Sequence, residues 1–131
     1  EGTVAAQDVP ELWNGRMRAY LRLTPPDDAR GCLQDVHWSH GAFGYFPTYA
    51  LGNLYAAQFF EQAVKDLGNL HEMFGRSEFQ PLREWLRTNI HAQGRKYPAA
   101  ELGRRVTGAP LSHDALIRHL RTKFAPLYDL R

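Results

Sequence analysis

Residues Pro47 to Leu67 read PTYALGNLYAAQFFEQAVKDL. A proline opens the run, where its missing backbone donor is no loss and its fixed φ suits the first helical turn. Gly68 follows, the residue type that most readily closes a helix. The first three turns are apolar or small nearly all the way round, and a polar face emerges only at Glu61, Lys65 and Asp66. A helix of that kind is expected to be buried on most sides and to run through the centre of its fold.

Upstream, Asp8, Pro10 and Glu11 supply a capping carboxylate, a first-turn proline and an early acidic residue. Leu12, Trp13, Met17, Tyr20 and Leu21 then recur at helical spacing, which predicts a helix over residues 9 to 23. The prolines and turn residues of TPPDDARG end it. Downstream, shorter helices are predicted over residues 69 to 74, 81 to 92, 99 to 106 and 112 to 127. Gly75, Gly94 and Gly108 serve as stops, and Ser112 and Asp114 as capping chemistry. No alternating strand pattern, internal repeat or low-complexity stretch interrupts the series. The fold class is all-α.

The 131 residues are enough for one domain with a real hydrophobic core, read as a single helical segment over 1–131. With 44% hydrophobic and 23% charged residues the composition is that of a folded protein. Cys32 is the lone cysteine, which excludes an internal disulfide or a thiolate cluster and favours a reducing, cytoplasmic setting. No stretch has the length and apolarity of a membrane span, and EGTVAAQDVPEL lacks the basic flank and apolar core of a signal peptide. The net charge of +2 hides an asymmetry: residues 1 to 82 hold six basic and ten acidic side chains, residues 83 to 131 ten and four. The basic half is read as solvated helix faces. Arg87, Arg95, Lys96, Arg104 and Arg105 with Tyr97 make no recognised nucleic-acid module, and no nucleic-acid partner is expected.

Most chemical motifs are absent. HEMFG, His71 to Gly75, begins like H-E-x-x-H but has glycine where the second histidine would share the helix face, so no metal site is assigned to it. His37 and His40 form the one close histidine pair, without a third ligand nearby. No nucleophile elbow or phosphate loop is present. What remains is QDVHWSHGAFGYFPTYALG, Gln34 to Gly52, crowded with histidine, tyrosine, tryptophan and glycine. Trp38, Phe43, Phe46 and Tyr55 are read as core. The other residues either serve a turn with buried rings, or form an irregular wall that holds polar donors in a cleft, where histidine and tyrosine could steady an oxyanion or move a proton.

GCLQDVHW, Gly31 to Trp38, followed by FGYFPTYALGNLYAAQFF, Phe43 to Phe60, resembles the last signature block of the thermostable carboxypeptidase family, of which Taq carboxypeptidase is typical. The pattern G-x-x-Q-D-x-H-W is matched in full by Gly31, Gln34, Asp35, His37 and Trp38. Resemblance continues through VPELWN, Val9 to Asn14, and through HAQGRKYPAAELGRRVTGAPLS, His91 to Ser112. Members of that family are H-E-x-x-H metallocarboxypeptidases several times longer, so the resemblance implies a C-terminal fragment of a larger, nearly all-helical metallopeptidase. It lacks the metal-binding helix, the completing glutamate and the arginine segment that grips the substrate's carboxylate.

The resemblance implies a parent enzyme that removes C-terminal residues from peptides with a divalent metal, zinc or cobalt, and that is often a homodimer. The fragment itself would bind no metal and be inactive. It implies catalytic roles for His37, as a hydrogen-bond donor to substrate or intermediate, and for Tyr45 or Tyr49, as the phenol facing the oxyanion. Gln34 and Asp35 would hold the histidine loop and its tautomer. The alternative is an autonomous, non-catalytic helical interaction module. A longer reading frame encoding H-E-x-x-H ahead of Glu1 separates the two.

Overall fold

The computed structural model describes residues 3 to 130, and among these every regular element is an α-helix or a short 3-10 turn. The chain divides at Pro47 and Thr48 into two compact units.

The first unit holds α1, Val9–Leu21, and the 3-10 turns Asp28–Arg30, Cys32–Gln34 and Val36–His40. Pro10 lies in the first turn of α1 as expected, but Asp8 does not cap it with its side chain. A 3-10 turn, Ala6–Asp8, precedes the helix, and the Asp8 carboxylate closes that turn by accepting the Ala5 N–H at 3.0 Å. The helix stops two residues earlier than its apolar spacing suggests. Arg22 turns left-handed at φ 59, and the Leu23 N–H donates back to the Met17 carbonyl, satisfying an end that has no glycine. Val9, Leu12, Trp13, Met17, Tyr20 and Leu21 line a shallow apolar groove of about 450 Å³ along α1. In the loop that follows, Asp27 caps the turn Asp28–Arg30 and binds the Arg30 guanidinium at 2.6 Å, which holds its carboxyl below the usual range.

The second unit is built on α2, Pro47–Leu67, whose two ends fall where Pro47 and Gly68 place them. α3, Leu70–Gly75, and α4, Gln80–Asn89, follow, then α5, Ala99–Thr107, and α6, Asp114–Tyr128. Ala63, Leu70 and Trp85 are buried at its centre, with Phe60, Phe74 and Leu86 among the partly buried side chains against them. Asn69 caps α3 by accepting the Glu72 N–H. α4 ends three residues before its expected limit. The Asn89 side-chain amide donates to the Trp85 carbonyl four residues back, a local bond that competes with helix continuation, and a 3-10 turn at His91–Gln93 takes over.

Polar side chains join these helices. The Trp85 indole donates to Asp66 at 2.8 Å, tying α4 to α2. Gln58 donates to Thr107 Oγ1 and the Pro110 carbonyl and accepts the Ser112 N–H, fixing the α5–α6 connection on α2. Gly103 lets α5 approach closely: a Cβ there would stand 2.8 Å from the Tyr55 ring, which is itself stacked on Phe59.

Glu61 on α2 and Arg118 on α6 form a two-pronged ion pair at 2.9 and 2.8 Å. The guanidinium holds the Glu61 carboxyl below the ordinary glutamate range. Folded Glu61 thus binds a proton less readily than unfolded Glu61. Its contribution to stability is complete above the ordinary glutamate range and is lost as pH falls through the depressed value. Glu61→Gln is therefore expected to lower the thermal midpoint slightly near neutrality and not at all in strong acid. A pH series of melting curves for both proteins checks this, and a gap that widens toward acid would contradict it.

The first turns of α2 depart from expectation. Residues 47 to 53 are all exposed, and partial burial begins at Leu54. Tyr49 and Leu51 are about half exposed. Phe43 and Phe46, read as core, are likewise exposed at 73% and 53%. No helix among the described residues is long and apolar enough to cross a membrane.

Candidate active site

The loop from Gly31 to Phe46 builds its site around one imidazole. Asp35 precedes the turn Val36–His40, and its Oδ1 accepts the His37 backbone N–H at 3.1 Å. The same oxygen lies 2.7 Å from His37 Nδ1. An oxygen that already accepts a backbone donor is placed to accept again, so Nδ1 carries a proton toward Asp35. The Asp35 side chain is 9% exposed and that of His37 22%, so the pair is shielded without being sealed.

Two rings complete the setting. Tyr45 stacks on the His37 imidazole with centroids 5.0 Å apart and planes at 29°. Phe46 meets the same ring edge-on at 5.1 Å and 83°. The backbone reaches this arrangement through two left-handed glycines, Gly41 at φ 74 and Gly44 at φ 75, where a side chain would be strained. The Gly41 N–H donates to the Trp38 carbonyl and the Ala42 N–H to that of His37, which turns the chain back past the imidazole. On the other side of the loop, Trp38 stacks on Phe43 and meets Trp13 of α1 edge-on at 6.1 Å.

Asp35, His37 and Tyr45 are therefore brought together. Gln34 is exposed and braces the loop at a distance, its amide donating to the Ala29 carbonyl. Tyr49 lies on the first turn of α2, in the second unit. His40 is exposed. Phe46 was missed as a neighbour of the histidine. They lie nine positions apart with two glycine turns between them, and no spacing rule carries across such a path.

The chain belongs to the carboxypeptidase Taq (M32) metallopeptidase family, whose model matches residues 1 to 124. It is 47% identical over 127 residues to thermostable carboxypeptidase 1 of Thermus thermophilus, covering 97% of this chain and 25% of that protein. Carboxypeptidase 1 of Bacillus subtilis is 42% identical over the same shares. Among solved structures, the M32 carboxypeptidase from Deinococcus radiodurans R1 matches with a TM-score of 0.93 at 36% identity, over 98% of this chain and 26% of that one. The chain thus spans about a quarter of the length of these relatives.

The family is one of metallopeptidases, which implies a divalent metal. Among the described residues no three His, Cys, Asp or Glu side chains gather as a metal site would require. The residues present do not fit the ion, and no step below runs through it.

Proposed function

We propose that this segment forms, within a longer metallocarboxypeptidase, the active-site wall opposite the metal, and that the two units described above act as parts of one catalytic domain. The reading rests on the His37 imidazole, aimed by Asp35 and bracketed by aromatic rings inside a complete G-x-x-Q-D-x-H-W pattern. Its support from relatives lies in the identity of the whole loop-bearing chain to carboxypeptidases. The ion, zinc or cobalt, is held by residues elsewhere in the parent, and the chain alone is inactive. The exposed end of α2 is covered by the remainder of the parent chain, which works in the cytoplasm as a homodimer on peptides.

The chemistry of this wall follows from its donors. When the carbonyl next to a peptide's C-terminal residue becomes tetrahedral, its oxygen takes on negative charge, and a fixed donor facing that position lowers the barrier. With Nδ1 committed to Asp35, His37 donates through Nε2, which requires the doubly protonated ring. The phenol of Tyr45 or Tyr49 supplies the second donor.

Acylation by diethyl pyrocarbonate tests the placement. In the full-length protein a peptide phosphonate, which mimics the tetrahedral intermediate, should protect His37 from modification and leave His40 reactive. Equal modification of His37 with and without the phosphonate would put it outside the substrate site.

A further inference from the structure

Trp13, on α1, carries an orphaned donor. Its indole Nε1 is buried and has no oxygen or nitrogen acceptor among the described residues. A buried donor without a partner is costly, and a buried indole N–H ordinarily finds one. What the Trp13 ring does meet is Trp38, with centroids 6.1 Å apart and planes at 89°. In a perpendicular pair the positive edge of one ring points at the electron-rich face of the other. An aromatic face is itself an acceptor for an N–H that lacks an oxygen. Phe43 lies nearly parallel to Trp38, at 5.8 Å and 22°, and so takes one of its two faces.

We propose that Trp13 donates its indole N–H to the other face of Trp38, and that through this contact it is a positioning residue for His37, the neighbour of Trp38 in the chain. The inference rests on the active-site reading of His37. The loop meets α1 on both sides of the Asp35–His37 pair. Ahead of the pair the turn Cys32–Gln34 packs against α1, with Cys32 only 3% exposed, and behind it Trp38 meets Trp13. The pair is thus strung between two anchors on one helix. The Trp38 carbonyl accepts the Gly41 N–H and the His37 carbonyl that of Ala42, so a shift of Trp38 carries the imidazole and the returning chain with it. An N–H aimed at a ring face fixes the angle of Trp38 as well as its distance, which an aliphatic contact would not do.

The experiment uses the full-length, metal-loaded protein, first by magnetic resonance with the tryptophan indole nitrogens isotope-labelled. The indole signal that disappears in Trp13→Phe belongs to Trp13. A proton held over an aromatic face is shielded, so this signal should lie upfield of the other indole protons. A position among or downfield of them would mean an oxygen acceptor supplied from elsewhere in the parent, and would overturn the proposal. Steady-state kinetics then test positioning, with metal content measured for each variant. Trp13→Leu should lower kcat by about 10- to 100-fold, the scale on which a misplacement of about 1 Å acts. KM and metal content should barely change. Trp13→Phe, which keeps a ring and loses the N–H, should fall between the leucine variant and the parent. If the leucine variant does not fold, the phenylalanine variant decides alone, with a kcat below that of the parent at unchanged metal content as the expected result. Unchanged kcat in the variants, beside an impaired His37→Ala enzyme, would overturn the positioning role, and so would a loss of metal in step with kcat. A fully active His37→Ala enzyme is a different failure, since it removes the active-site reading itself.

Discussion

Replacing His37 with alanine in the full-length carboxypeptidase is expected to lower kcat by about 100- to 1,000-fold while leaving bound metal unchanged. Removing one preorganised donor to a developing oxyanion characteristically costs that much. His37 earns the comparison by how it is held. Asp35 sets its tautomer, the backbone N–H bond to the same carboxylate fixes the turn, and Tyr45 and Phe46 enclose the ring. A side chain so constrained loses little entropy when it meets the transition state, so its truncation acts on kcat more than on KM. Metal content separates the catalytic role from a structural one. Loss of metal in proportion to activity would mean that the loop supports the metal half of the enzyme rather than the substrate.

The second large effect concerns the chain in isolation. Prepared as these 131 residues, it is expected to self-associate or to behave as a partly molten species rather than as a stable monomer. Tyr49 and Leu51 near the start of α2, Tyr20 and Leu21 on the apolar groove of α1, and Leu127 and Tyr128 at the end of α6 are all exposed. Burying one side chain of this class is worth about 1.5–3 kcal/mol. Several left in water offset much of the roughly 5–15 kcal/mol that holds a whole domain together. Exposed apolar surface also drives association. Sedimentation at two concentrations, with a dye that binds exposed apolar surface, should show concentration-dependent species and strong fluorescence. A monomer with one sharp, concentration-independent unfolding transition would contradict the expectation.

The helices were legible where local chemistry acts alone. Pro47 and Gly68 bound α2 by the intrinsic preferences of their own backbones, and Gly108 closes α5 in the same way. Reading failed where a side chain chose another partner. Asp8 turned back to Ala5, and Asn89 turned back to Trp85 and shortened α4. Burial failed for a different reason. The apolar first turns of α2 announce a covered helix, but periodicity cannot say whether the cover lies among these residues, and residues 47 to 53 are exposed.

Of the candidate site, the Asp35–His37 pairing was legible in the sequence and the packing of rings around it was not. The Asp35–His37 pair spans two positions, short enough for the G-x-x-Q-D-x-H-W pattern to mark it. The stacking of Tyr45 depends on two glycine turns whose combined direction no local rule gives. For Phe46 the hydrophobic reading pointed the wrong way, toward the core, when its ring meets the His37 imidazole from an exposed position.

The central claim is that His37 stands at the substrate. Its most direct test is a structure of the full-length protein with a peptide phosphonate bound. The account predicts His37 Nε2 at hydrogen-bond distance, about 2.7–3.2 Å, from a phosphonate oxygen, with Nδ1 still on Asp35. A bound phosphonate with the His37 ring turned away, its Nε2 directed at protein or bulk water, would contradict it.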